Sequence, residues 1–244
     1  PGGFDVVVGD LFTPWHAGTG TLYTMEHFQT VRQRMAPGGV FAQWLPLWQL
    51  TPDDLHTVMA TFAAVFPVAT VWRADFSVER PAVALVGQAA GTRLSGPVLR
   101  RGAARFLRDA SAAADSADHM GMLFYAGNLA ALAEGLVHAT VNTDDNRAIE
   151  MKAPVVSQRA NAGSGSFVAG GVLEDLFTAL SQGLPPDRDP YLADLPEHER
   201  RYAEAGRLFF MYTRALAQDR PDVARSLRAR IAQTAPDFLQ RLGG

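Results

Sequence analysis

FDVVVGDLFTPWHAGTGTLYTMEHFQTVRQRMAPGGVFAQWLPL, residues 4–47, reads as strand, loop, helix and strand in succession. Phe4 to Gly9 is a short apolar run with three valines, the pattern of a strand buried in a parallel sheet. Asp10 ends it. Asp10 to Thr21 is rich in Gly, Pro and Thr and is a loop. From Tyr23 to Met35 the spacing of Phe28, Val31 and Met35 puts three apolar side chains on one face of a helix. Pro37-Gly38-Gly39 stops that helix, and Val40 to Leu47 is the next strand.

Downstream, Thr51-Pro52-Asp53-Asp54 has the form of a helix start, with Thr as cap, Pro in the first turn and acids beside the positive end of the helix dipole. The helix is expected to reach about Phe66, before Pro67. Two strands follow, Ala69 to Ala74 and Ala82 to Val86. Strands alternating with helices predict an α/β fold with a parallel sheet, its last pair closing antiparallel. Residues 89–137 read as mostly helical. Ala139 to Pro154 holds Asn142-Thr143-Asp144-Asp145, read as a turn, and then the strand-like alternation Ala148-Ile149-Glu150-Met151. Residues 155–171, rich in Ser, Gly, Ala and Asn, read as a linker. From Leu173 onward the pattern is helical, broken at Pro185-Pro186. About 199–218 and 221–232 form a helical hairpin read as a packing or capping element.

Composition narrows the function. The 244 residues carry a net charge of −3 with acids and bases intermixed, so no basic stripe favours a nucleic acid partner. There is no cysteine, which removes disulfides, thiol catalysis and Cys-ligated zinc. No stretch reaches the ~20 apolar residues of a membrane-spanning helix. His27, His56, His119, His138 and His198 show no metal-ligand spacing with one another, and no metal is expected.

In open α/β sheets, ligands sit beyond the carboxyl ends of the parallel strands. Asp10 lies at such an end, where a carboxylate binds a cationic amine and accepts its proton; the alternative is a turn or helix cap. His16 in the same loop is a substrate-binding candidate or an exposed bystander. Gln43 either reaches substrate from the second strand or satisfies a core hydrogen bond. Gly18-Thr19-Gly20 suggests a phosphate loop but lacks its Lys and spacing. Asp144 and Asp145 are a metal or amine site, or simply turn formers.

Asp10, Thr13-Pro14, the glycine-containing loop, Leu22-Tyr23-Thr24, Phe28, the Pro-Gly-Gly turn and the Gln43 strand together resemble the spermidine synthase (polyamine aminopropyltransferase) family. Asn142-Thr143-Asp144-Asp145 and Glu150 resemble a segment of bacterial membrane-fused spermidine-synthase-like proteins. The resemblance covers residues 4–154.

It implies the C-terminal half of a Rossmann-type, S-adenosylmethionine-dependent methyltransferase-like sheet over residues 1–154; composition and pattern add the linker 155–171 and an α-helical tail over 172–244. It also implies aminopropyl transfer from decarboxylated S-adenosylmethionine, as co-substrate, to a small-molecule amine. Asp10 matches the first loop aspartate, the amine base. The second is Thr13 here, and a neutral hydroxyl does not balance a diamine's charge as a carboxylate does. Asp75 is a candidate to supply that charge, or is an exposed loop residue. No Gly-x-Gly-x-x-Gly turn opens a helix after a strand, so the cofactor-binding residues are unassigned and this chain alone is expected to be inactive. The first strand would be an open edge. An upstream segment or a homo-oligomer partner is expected to cover it. A cytoplasmic protein is expected, and the resemblance leaves room for a membrane-fused parent chain. The competing readings are a catalytically silent binding or assembly domain and an S-adenosylmethionine-dependent methyltransferase.

Overall fold

The computed structural model describes residues 3–74, 77–89, 120–189 and 191–242. Strand β1 (Phe4–Gly9) pairs in parallel with β2 (Met35–Pro46), and helix α1 (Met25–Arg34) crosses between them. α1 starts where Thr24 Oγ1 accepts the His27 N–H, with Glu26 in the first turn and Arg32 and Arg34 in the last, both favourable to the helix dipole. β2 begins at Met35, five residues before the expected start, so Pro37-Gly38-Gly39 lies inside the strand. The register jumps from Phe4↔Met35 to Val6↔Val40, and this bulge absorbs the turn residues. Gly38 takes φ +79°, and a Cβ on Gly39 would stand 2.7 Å from the Phe4 carbonyl oxygen, so both positions require glycine.

Helix α2 (Pro52–Val65) starts at the expected cap: Thr51 Oγ1 accepts the Asp54 N–H at 3.1 Å and donates its own proton to Asp54 Oδ2 at 2.7 Å. Strands β3 (Ala69–Ala74), β4 (Ala82–Gln88) and β5 (Tyr125–Asn128) complete a five-stranded sheet of order β1-β2-β4-β3-β5. Among the described residues only β1 and β2 run parallel; β2/β4, β4/β3 and β3/β5 are antiparallel. The sheet is therefore mixed rather than mainly parallel, because β4 turns back from β3 and inserts beside β2. β5 corrects the expectation that residues 89–137 are mostly helical; residues 90–119 of that stretch lie outside the described residues.

The core joins sheet and helices through rings. Phe62 on α2 packs against Phe28 of α1 at 5.2 Å between centroids, against Phe41 of β2 at 5.8 Å and against Phe66 at 4.8 Å. A short α3 (Ala133–Leu136) is followed by α4 (Ala148–Asn161). α4 replaces the expected strand-like stretch 148–151 and extends through the first part of the expected linker. The loop after it is anchored too, for Val168 is fully buried and its N–H donates to the Leu50 carbonyl at 3.0 Å.

The tail comprises α5 (Gly170–Gln182), α6 (Glu197–Ala217), α7 (Pro221–Thr234) and α8 (Pro236–Leu242). Phe177 of α5 and Phe210 of α6 join the core cluster that contains the sheet residues. All four residues of β5 are buried, and Gly127 passes so close to the Leu180 carbonyl that no side chain fits there. Tyr125 on β5 donates its hydroxyl proton to Asp189 Oδ2 at 2.6 Å, while Asp189 Oδ1 accepts from the Tyr191 and Leu192 N–H groups. The opposite edge is β1, where Phe4, Val6 and Val8 are 61 %, 64 % and 60 % exposed. The chain is thus a mixed α/β, Rossmann-like fold carrying a helical tail, and no helix among the described residues is long and apolar enough to cross a membrane.

Candidate functional site

Asp10 follows β1 at its carboxyl end, beside the one parallel neighbour. Its position is fixed by the backbone: Gln43, fully buried on β2, donates from Nε2 to the Asp10 carbonyl at 3.2 Å and to the Trp44 carbonyl at 3.0 Å. Gly9 lets the Gln43 carboxamide lie against the strand, since any side chain there would collide with it. Gln43 therefore braces the Asp10 backbone through its amide nitrogen, while its buried Oε1 has no hydrogen-bond partner among the described residues. The Asp10 carboxylate itself is exposed, and its Oδ1 accepts the Leu11 N–H at 2.7 Å.

The loop from Asp10 to Thr24 is held by a strap formed from residues 142–150. Asn142 is fully buried at its centre. Its Nδ2 donates to the Gly20 carbonyl, its Oδ1 accepts from Ile149, its N–H donates to Thr61 Oγ1 on α2, and its carbonyl accepts the Met25 N–H that opens α1. Glu150 Oε1 accepts the Gly18 N–H at 3.0 Å. A Cβ on Gly20 would stand 2.9 Å from Glu150 Cβ, so this contact demands glycine. Asp144 N–H donates to Glu26 Oε2 at 3.0 Å, tying the strap to α1 as well. The strap's own turn is closed by Thr143 and Asn146, each bonded to the other's backbone N–H, and it drives Arg147 to φ +44°, uncommon for a residue with a side chain.

The other sequence candidates fall around this frame. Thr13 and His16 share the loop, where the His16 N–H donates to the Thr13 carbonyl at 3.1 Å and the His16 side chain is exposed. Asp75 lies outside the described residues. Gly18-Thr19-Gly20 gives its first N–H to Glu150, which fits a loop clasp and not a phosphate cradle. Asp144 and Asp145 are exposed members of the turn. The sequence reading gave no role to Asn142 or to the Glu150 side chain; its signal for them was the resemblance of this segment, which folding brings against the other resembling stretch. Among the described residues no cluster of three or more His, Asp or Glu is arranged to hold a metal ion.

Two titrating groups flank the site. His27, at the start of α1, is pushed below its ordinary range by burial, with the Asp144 charge opposing. Asp54 is pushed upward by burial, against the Thr51 hydroxyl and Lys152, whose Nζ stands 3.8 Å away. Asp54 lines a cleft of about 670 Å³ between the start of α2, the α4 side chains Lys152, Val155 and Arg159, and Phe167. Phe167 touches Trp15 of the Asp10 loop at 5.8 Å between centroids, so cleft and loop adjoin.

No family model matches the chain. A stretch of 67 residues is 43 % identical to a polyamine aminopropyltransferase of the archaeon Aeropyrum pernix. The match takes in 26 % of this chain and 21 % of that protein, so the chain spans about a fifth of the length of the curated relative it matches.

Proposed function

We propose that the chain carries the amine-activating loop of a spermidine-synthase-like aminopropyltransferase. The observation that carries this reading is the placement of Asp10: a carboxylate at the carboxyl end of a parallel strand, its backbone pinned by Gln43 and its loop clasped by the strap. The partial identity to a polyamine aminopropyltransferase supports it.

The acceptor is a small amine and the donor decarboxylated S-adenosylmethionine. An aliphatic amine is protonated at neutral pH, with a pKa near ~10. The Asp10 carboxylate takes that proton, and the freed lone pair forms an N–C bond at the methylene beside the sulfonium. The C–S bond breaks toward sulfur, which leaves as neutral methylthioadenosine. The sulfonium is already an activated leaving group, so a base and a held geometry are what the protein supplies. β1, with its bare apolar face, is covered in the working protein by another segment of a longer chain or by a partner copy.

Calorimetric titration with methylthioadenosine tests nucleoside recognition, and a saturable heat is expected once β1 is covered. Asp10→Asn should lower transfer about a hundred-fold to ten-thousand-fold with the fold intact by circular dichroism. Normal turnover by that variant removes Asp10 as the base. A second reading, an assembly domain without chemistry, is favoured by the exposed Phe4, Val6 and Val8. It would prevail if methylthioadenosine gives no heat under any condition in which β1 is covered.

A further inference from the structure

The cleft between α2 and α4 shares no residue with the Asp10 loop. One wall is α4, where Lys152, Val155, Val156 and Arg159 are spaced three, four and seven positions apart and so lie on one helix face. The start of α2, Thr51 to Asp54, and the loop from Ser164 to Phe167 complete the lining.

Two features of this cleft are unfinished. Met151 and Val155, 74 % and 49 % exposed, leave apolar surface in a recess of about 670 Å³, a size that suits a small organic ligand. Asp54 is the second feature, with a side chain only 5 % exposed. Its Oδ2 accepts the Thr51 hydroxyl proton at 2.7 Å, but its buried Oδ1 accepts no hydrogen bond among the described residues. Lys152 Nζ, at 3.8 Å, is too far to donate one. A buried carboxylate oxygen without a donor is unfavourable, and a ligand N–H group relieves it.

Charge narrows the ligand class. Asp53, Asp54, Lys152 and Arg159 give the lining two acids and two bases. The Arg159 guanidinium is exposed and makes no ion pair or hydrogen bond among the described residues. A simple anion would meet two carboxylates here, and a simple amine two cations. A molecule carrying both charges close together finds a partner for each.

We propose that the cleft is a binding site for a zwitterionic α-amino acid with a large apolar side chain. Its ammonium donates to Asp54 Oδ1 and replaces Lys152 as the cation there, and Lys152 turns with Arg159 to the carboxylate. The apolar side chain covers Met151 and Val155 and reaches the Phe167 ring; thioether and ring both favour an aromatic group. Phe167 is held for this contact. Its ring lies so close to Gly165 that any side chain there would collide with it, and the next residue, Val168, is buried and bonded to the Leu50 carbonyl. The site stands independently of the aminopropyl-transfer reading.

The test removes one charge at a time, first from the ligand and then from the protein. The full chain is titrated calorimetrically with L-phenylalanine, with 2-phenylethylamine, which lacks the carboxylate, and with 3-phenylpropanoate, which lacks the ammonium. Saturable binding of L-phenylalanine is expected, with each single-charge compound weaker by about ten-fold or more. In Asp54→Asn the preference for L-phenylalanine over 3-phenylpropanoate should collapse to within about two-fold, and in Arg159→Gln the preference over 2-phenylethylamine should fall by about three-fold or more. No saturable heat with L-phenylalanine up to about 10 mM overturns the inference. Equally tight binding of either single-charge compound also overturns it, since the cleft would then be an anion or a cation site. Should circular dichroism show Asp54→Asn unfolded, Arg159→Gln at its exposed position decides: unchanged L-phenylalanine affinity in that variant removes the ligand from this cleft.

Discussion

The sheet has two edges, and they are finished in opposite ways. At β5 the chain's own tail closes the edge with packed rings and a buried carboxylate: Trp72, Tyr125 and Tyr191 meet at 5.0–5.9 Å between centroids, and Asp189 accepts three hydrogen bonds. Burial, then the Asp189 charge, pushes the Tyr125 phenol well above its usual range, so it stays a donor. At β1 nothing among the described residues covers Phe4, Val6 and Val8. The candidate site lies at the unfinished edge. The edge that the tail covers has no backbone left to offer a newcomer, whereas the bare apolar β1 edge is open to pairing or packing with an added element.

The comparison is sharpened first by Asp189→Ala. It leaves the Tyr125 hydroxyl and the Tyr191 and Leu192 N–H groups without their acceptor, and should cost about 3 kcal/mol in chemical denaturation. A loss under 1 kcal/mol would mean that the tail is not what finishes that edge. Next in size, Gly20→Ala pushes a methyl group against Glu150 and should destabilise by about 1–2 kcal/mol, while raising hydrogen exchange over the Asp10 loop. On the bare edge Val6→Lys should change stability by less than about 0.5 kcal/mol and reduce self-association seen in light scattering. A large loss of stability there would show β1 packed in solution and break the contrast between the edges.

The smallest effect concerns pH. Burial depresses the His27 pKa in the folded chain, so its protonation favours the unfolded state. Stability should be whole above the ordinary imidazole value of ~6.5 and decline as pH falls below it toward the folded value. Thermal midpoints measured across that window should show a slope that His27→Gln flattens.

Much of the first half was legible because each element carries its own boundary chemistry. The Thr51-Pro52-Asp53-Asp54 start, the stop before Pro67 and the valine run of β1 are local signals, and the structure follows them. What failed was either short or non-local. Ala148-Ile149-Glu150-Met151 satisfies strand and helix patterns equally over four residues, and the choice falls to helix because the Thr143–Asn146 turn starts α4 just ahead of it. Pro154 within α4 added to the misreading; it forfeits the bond its N–H would have given the Glu150 carbonyl. β5 is four residues long and hidden in an alanine-rich stretch, and its strand character comes from pairing with β3. In the candidate site, Asp10 was readable from its place after a valine run. Glu150 and Asn142 were not, since nothing local says that a turn so far downstream will close on the loop.

The bonds from Gly18 to Glu150 and from Asn142 to Gly20 span 132 and 122 positions. A ribosome makes the Asp10 strand before the strap that shapes its loop, which emerges only after well over a hundred further residues have been added. Contacts of such separation carry a large loop-closure cost and form late. During synthesis the sheet therefore has the opportunity to assemble while the loop is still unshaped, and the Asp10 carboxylate gains its setting late in folding, when the strap closes on its loop.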